Sequence, residues 1–201
     1  MKKYLADYAF LFSIAGAVVL LDQWTKFLVR TNLAFGEIWP QGHWIVFYAR
    51  IVNWRNTGAA FGMFQNLGIV FAFLAIIVSG AILYYFPKIP KQDWALRIAL
   101  GLQLGGALGN LISRLTQSHV TDGNFLERLS QGYVTDFISI DSFAVFNVAD
   151  ASISIGVAIL ALSLFQRERK QKTAESPPAD DEAASTNEVM HSQLPEEVKG
   201  E

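Results

Sequence analysis

Four long apolar segments constrain the fold of this chain more than any other feature of its sequence. They cover residues 8–29, 67–86, 95–112 and 145–165, and each approaches the roughly 20 residues that an α-helix needs to cross a ~30 Å hydrocarbon core. Apolar residues make up 52% of the whole chain. Because the segments show little amphipathic patterning, buried helices of a soluble protein do not explain them. The sequence predicts a mainly α membrane protein with four transmembrane helices.

The two ends of the chain differ in character. Lys2 and Lys3 resemble the start of a cleaved signal peptide, but no small-x-small cleavage site follows the first apolar segment, so we interpret it as a retained helix. Residues 167–201 are polar and carry nine acidic against five basic side chains. This composition predicts a disordered acidic tail. Residues 1–166 then form the membrane domain.

Basic residues near the ends of the apolar segments predict the orientation. The positive-inside rule places the side with more Lys and Arg in the cytoplasm. Nine basic residues lie on the side of both termini and of the 87–94 loop, against six on the other side. We therefore expect a protein of the inner membrane with both termini and the acidic tail in the cytoplasm. Residues 30–66 and 113–144 would then lie outside.

The two outer loops carry patterns of their own. Residues 44–52 are rich in aromatic and β-branched side chains, which favours a strand, although such rings also settle at membrane interfaces. In the second loop, residues 114–122 are repeated as residues 128–136, with six of nine positions identical. The repeat yields two Val-Thr-Asp sequences, and so two candidates, Asp122 and Asp136, for one functional carboxylate.

A carboxylate inside a transmembrane helix is costly, by about 2.5–3.5 kcal/mol on insertion scales, and is functional by default. Asp150 lies near the start of the fourth segment, with Asn147 and Ser154 on the same helical face. A polar packing network between helices is the alternative explanation.

The third segment carries two stripes at a spacing of four residues. Gly101, Gly105 and Gly109 form a small-residue ridge that allows close approach of another helix. The second stripe contains Gly106, Asn110 and Arg114. Arg114 either orients groups inside the protein or extends to lipid head groups.

Two further segments place polar residues at the membrane. Asp22 and Lys26 stand four residues apart in the favourable order, which favours a structural ion pair over a catalytic role. After Asn56, a run of small residues suits a tight turn or a close backbone approach to a ligand.

Paired aspartates are the strongest catalytic resource of the chain. It contains no cysteine, and its three histidines lie far apart, so neither a thiolate nucleophile nor a metal site is indicated and we expect no cofactor. Two neighbouring carboxyl groups can share one proton, so that one activates water while the other protonates a carbonyl oxygen. A loop between Asp136 and Asp150 could bring them together at the outer interface.

Five sequence blocks, in this order, resemble the signature blocks of the lipoprotein signal peptidases. They are Asp22-Gln-Trp-Thr-Lys26, Asn56-Thr-Gly-Ala-Ala-Phe61, Gly105-Gly-Ala-Leu-Gly-Asn110 with Arg114, Val134-Thr-Asp-Phe137 and Phe146-Asn-Val-Ala-Asp150. The resemblance implies a four-helix membrane aspartyl protease with a small extracytoplasmic β-element. The implied substrate is a diacylglyceryl-modified prolipoprotein, cut just before its lipidated cysteine.

The same resemblance implies residue roles. Asp136 and Asp150 would be the catalytic pair, and the orienting or substrate-binding residues would be Asn56, Gly106, Asn110, Arg114 and Asn147. We expect a monomer among membrane lipids with no nucleic-acid partner.

The sequence departs from the family pattern in its third block. The family usually has Asp before the arginine, whereas this chain has Ser113, whose hydroxyl brings no charge to hold Arg114. Asp122, from the duplicated stretch, is a hypothetical source of the missing carboxylate. Two other functions stay open at this point: a small transporter or lipid-binding bundle, and a family member that binds precursors without cutting them.

Overall fold

The structure is a computed structural model that describes residues 2–40, 49–58, 67–118, 122 and 124–175. It divides into two compact units, residues 1–161 and 162–201. The first unit contains every candidate site residue. The described part of the second unit is the end of the last helix.

Four long helices confirm the predicted fold class. They are α1 (Lys2–Asn32), α2 (Gly68–Tyr85, followed by a 3-10 turn at Phe86–Lys88), α3 (Trp94–Thr116) and α5 (Val148–Glu175). All four are long and apolar enough to cross a membrane. Large apolar side chains on their outer faces are exposed, including Leu20 at 73% and Ile77 at 65%. Lipid, rather than water, is the solvent in which such surfaces are stable.

The helix boundaries correct the sequence prediction at the fourth segment. Helix α5 begins at Val148, three residues later than the predicted start at 145, and continues to Glu175. Residues 167–175 are therefore helical where a disordered tail was predicted. The remainder of the predicted tail, residues 176–201, lies outside the described residues.

Helix α3 packs closely against α1 through the predicted glycine ridge. A methyl group added at Gly101 would meet the side chain of Ile14 at 2.9 Å, and one added at Gly105 would meet Val18 at 2.7 Å. Real side-chain carbons do not approach this closely, so the helices fit only because these positions lack a Cβ. The prediction of a close helix contact is confirmed.

Segments that connect the helices form a small antiparallel sheet. Its strands are arranged in the order β1 (Ile38–Trp39), β2 (Ala49–Asn56) and β3 (Val134–Ile140). The predicted strand 44–52 is confirmed for residues 49–52, and residues 44–48 lie outside the described part of the chain. Strand β3 was not predicted. Its pairing places Asp136 opposite Trp54 and Val134 opposite Asn56.

The repeated stretch forms two different structures. The first copy continues the end of α3, whereas the second spans the end of the short helix α4 (Phe125–Ser130) and the start of β3. A β-bridge joins Ser118 to Gly132, which are equivalent positions of the two copies. Only the second copy therefore places its aspartate in a strand.

Candidate active site

Asn147 joins the two aspartates that the sequence singled out. Its side-chain Nδ2 donates to Asp136 Oδ1 at 2.6 Å. Its backbone N–H donates to Asp150 Oδ2 at 3.2 Å, and its Oδ1 accepts from the backbone N–H of Asp150 at 3.0 Å. The last two bonds form a reciprocal cap at the N-terminus of α5. The start of the helix thus fixes Asp150 and presents an amide to Asp136.

Two more asparagines complete the hydrogen bonding of the carboxyl groups. Asn56, at the end of β2, donates from Nδ2 to Asp136 Oδ2 at 2.8 Å. Asn110, in α3, donates from Nδ2 to Asp150 Oδ1 at 2.7 Å. Each of the four carboxyl oxygens therefore receives one N–H donor. Four elements, β2, α3, β3 and the start of α5, have to meet for this arrangement to form.

Asp136 is only 1% exposed, and the pKa of its carboxyl group is raised from 3.8 to about 7, chiefly by burial. The nearby charge of Asp150 contributes to this rise in pKa, while the hydrogen bonds from Asn56 and Asn147 act in the opposite direction. A raised pKa means that the carboxyl group binds a proton near neutral pH. Such a pair can hold one proton between a general base and a general acid.

Both aspartates line a cleft of about 680 Å³. Its polar lining includes Asn56, Asn110, Arg114, Asp136 and Asp150. Its other walls are mainly apolar side chains of α2 and α5, such as Phe71, Val78 and Ile153. A ligand that fits this cleft would combine a polar group at the aspartates with an apolar part between the helices.

Arg114 lines the cleft without a carboxylate partner among the described residues. It is 8% exposed, its Nη2 donates to the carbonyl of Gly58 at 3.4 Å, and its guanidinium lies 5.2 Å from the centroid of the Phe71 ring. Its Nε is buried without a hydrogen-bond partner in the described part of the chain. Arg114 therefore has donor capacity left for a ligand.

Ser113 lies on a different side of α3 from Arg114. Its hydroxyl donates to the carbonyl of Gly109 at 3.2 Å and accepts from Gln23 of α1 at 3.3 Å. Adjacent residues of a helix do not share a face, so a carboxylate at this position would be aimed at α1. Asp122 is exposed, and no ion pair joins it to Arg114 among the described residues.

Asp22 and Lys26 form the predicted ion pair, with Nζ and Oδ2 2.8 Å apart and both side chains fully buried. The pair also reaches the site, which the sequence did not predict. Asp22 Oδ1 accepts from the backbone N–H of Ala149 at 3.0 Å, and Lys26 donates to Asn110 Oδ1 at 2.9 Å. Spacing along α1 could not indicate these contacts, because both partners lie on other helices.

Gly106 lies beside the site but does not line the cleft. A Cβ at this position would meet the carbonyl oxygen of Ala149 at 2.5 Å and Cγ1 of Ile153 at 2.6 Å. The structure thus places Gly106 at the contact between α3 and α5, next to the residue that precedes Asp150.

The family model for signal peptidase II matches residues 14–122 and 123–166 of this chain. The chain belongs to this family. The match includes both aspartates, the three asparagines and Arg114 described above. Among the described residues there is no group of three side chains suited to holding a metal ion.

Curated relatives and one solved structure are similar to this chain over most of its length. The lipoprotein signal peptidase of Halalkalibacterium halodurans is 37% identical and covers 79% of this chain and 94% of its own length. The Staphylococcus aureus strain Newman protein of the same name is 32% identical and covers 87% of this chain and 98% of its own length. A bacterial membrane enzyme solved by the in meso method at 2.3 Å is 29% identical, with a TM-score of 0.67, covering 84% and 92%. This signal peptidase II family member is therefore a membrane protease of lipoprotein processing.

Proposed function

We propose that this protein is an aspartyl endopeptidase that removes the signal peptide from diacylglyceryl-modified prolipoproteins. Cleavage falls just before the lipidated cysteine, at the outer face of the inner membrane. One observation carries the proposal: the buried Asp136 and the half-buried Asp150 line the same mainly apolar cleft, with all four carboxyl oxygens held by N–H donors.

The hydrolysis needs one proton shared by the pair. One carboxylate takes a proton from water while the water oxygen bonds to the carbonyl carbon that precedes the modified cysteine. The other aspartate, protonated, gives its proton to the carbonyl oxygen. When the tetrahedral adduct collapses, the C–N bond breaks, the carbonyl re-forms by returning its proton to the pair, and the cysteine nitrogen takes the proton that came from water.

The neighbouring side chains have separate tasks in this reaction. Asn56, Asn110 and Asn147 hold the carboxyl groups in place through the bonds described above. Arg114 lines the cleft and has an Nε–H without a partner among the described residues, and it donates to backbone or ester carbonyls of the substrate. The apolar walls accommodate the apolar part of the signal peptide and the acyl chains.

Cleavage by purified protein tests the proposal. A diacylglyceryl-modified precursor is incubated with the parent protein, with Asp136→Asn and with Asp150→Asn, and the new N-terminus is identified by mass spectrometry. The control is Asp141→Asn, which removes an exposed carboxylate just beyond β3. Asparagine tolerates the positive φ of 42° at this position. We expect cleavage before the modified cysteine and, since acid–base groups contribute about 10²–10⁴-fold, a loss of at least about 100-fold in both site variants alone.

Two results would contradict the proposal. A parent protein that leaves the modified precursor intact is not the protease proposed. Undiminished cleavage by Asp136→Asn or Asp150→Asn would remove that aspartate from the reaction.

The absence of cysteine from the chain allows a direct test of orientation. Single cysteines at Ser142 and Lys91, both exposed, lie at opposite ends of the helices by the predicted topology. A membrane-impermeant maleimide should label Ser142→Cys in cells with a permeabilised outer envelope and label Lys91→Cys only after the inner membrane is opened. The reverse pattern would place the active site in the cytoplasm.

A further inference from the structure

Asn110 has different partners at the two ends of its side-chain amide. Lys26 Nζ donates to its Oδ1 at 2.9 Å, and its Nδ2 donates to Asp150 Oδ1 at 2.7 Å. An ammonium group carries only donors, so the amide atom that faces Lys26 has to be the oxygen. The amide nitrogen is then directed at Asp150.

We propose that Lys26 is a positioning residue for Asp150 and acts through Asn110. By fixing Oδ1, Lys26 selects the amide orientation that gives Asp150 a donor. The opposite orientation would place two acceptor oxygens against each other. The inference rests on the proposed function of Asp150 and adds to it a residue that touches neither carboxyl group of the catalytic pair.

The surroundings of Lys26 support this role. Its side chain is fully buried beside Asp22, and Asp22 in turn accepts from the backbone N–H of Ala149 at 3.0 Å. The ion pair therefore holds two neighbours of Asp150, the backbone N–H of the preceding residue and the amide of Asn110. Asn147 Nδ2 also lies 3.3 Å from Asn110 Oδ1, a longer contact that favours the same amide orientation.

A purely structural tie between helices is the competing explanation, and the chain offers a matched control. Asp7 and Arg97 form a second buried ion pair, at 2.7 Å, which also joins α1 to α3. Neither residue lines the cleft. If Lys26 only holds helices together, loss of either pair should have the same consequences.

The experiment removes each pair without leaving an isolated buried charge. The site variant combines Lys26→Met with Asp22→Asn, whose amide oxygen can still accept from Ala149. The control combines Arg97→Met with Asp7→Asn. Thermal unfolding in detergent and the kcat and KM for lipid-modified precursor are measured on the folded fraction of each.

We expect kcat of the site variant to fall by about 10- to 100-fold with KM within about threefold, because the substrate still binds while the reacting group is misplaced. The control should keep kcat within about threefold at a comparable loss of thermal stability. Equal kcat in the two variants would overturn the proposal.

A double-mutant cycle tests whether the effect passes through Asn110. In an Asn110→Ala background, the site substitutions should lower kcat by less than about threefold, because the amide that Lys26 orients is gone. A full additional loss would overturn the relay. Should the paired site variant fail to fold, the single variants Lys26→Gln and Lys26→Met replace it. Glutamine keeps an N–H donor for Asn110, so Lys26→Gln should retain more activity than Lys26→Met. Equal activity of the two single variants counts against the proposal.

These outcomes are separate from failure of the proposed function. The cycle is interpreted only against a parent that cleaves and an Asp150→Asn variant that does not. If the parent and Asp150→Asn cleave equally, the catalytic pair is rejected. If they differ but the Lys26 variant cleaves like the parent, only the role of Lys26 through Asn110 is rejected.

Discussion

Replacement of Gly106 by alanine should reduce both stability and activity, although the substitution adds a single methyl group. That methyl carbon would lie 2.5 Å from the carbonyl oxygen of Ala149, whereas ordinary contacts begin at 3.4 Å. Helix α3 and helix α5 would therefore have to separate locally by about 0.9 Å. The second clash, 2.6 Å to Cγ1 of Ile153, blocks a simple sideways shift.

The separation has two costs of different size. Overpacking of this kind typically lowers the free energy of unfolding by about 1–3 kcal/mol. The moved backbone carries Asp150, whose 2.7 Å bond from Asn110 would lengthen beyond good hydrogen-bond geometry. A displacement approaching 1 Å at a reacting group can cost about 100-fold in rate. Activity should thus fall more than stability alone explains.

Gly80→Ala is the matched control. Gly80 lies in α2 with nothing within 4 Å of the added methyl group, and alanine in a helix interior is favoured over glycine by about 0.5–1 kcal/mol. Thermal unfolding in detergent and cleavage of lipid-modified precursor are compared for both variants and the parent. If Gly106→Ala matched Gly80→Ala in both measurements, the close contact of α3 with α5 at this point would be refuted.

Three shorter predictions follow from the same contacts. Burial and the charge of Asp150 raise the pKa of Asp136 from 3.8 to about 7, so its contribution to stability is complete below about pH 4 and is lost as the pH rises through about 7. The melting temperature of the parent should therefore fall between pH 4 and pH 8. An equal fall in Asp136→Asn would contradict this prediction. Ser113→Asp should lower the melting temperature without raising activity, because the new carboxylate would be buried towards Gln23 of α1; a more active variant would show that the carboxylate reaches the cleft. Asp122→Asn should cleave as the parent does, since Asp122 is exposed and pairs with no described residue; reduced cleavage would bring the duplicated stretch back into the site.

Local patterns in the sequence predicted much of this fold. The four helices follow from apolar length, and the approach of α1 to α3 follows from glycines at a spacing of four. The sequence also singled out Asp150 and Asn147, which form one helical cap. All of these features depend on residues close together in the chain.

The remaining features depend on contacts between distant residues. Strand β3 exists because it pairs with β2, and that pairing places Asp136, but not its duplicate Asp122, in the sheet. The Asp22–Lys26 pair was predicted, but its contacts with Asn110 and Ala149 were not. Ser113 was expected to weaken the hold on Arg114, yet the two side chains leave α3 in different directions. No local pattern encodes these directions.

The close contact of α1 with α3 has a consequence for biogenesis. Helix α1 enters the membrane first but finds the glycine ridge that covers it only after α2 has been made and α3 has followed. Lys26 likewise meets Asn110 only at that stage, and Asp22 meets Ala149 only when α5 arrives. A nascent chain halted after α2 would hold the Asp22–Lys26 pair without either of these partners, so synthesis of the last helix completes both the fold and the site.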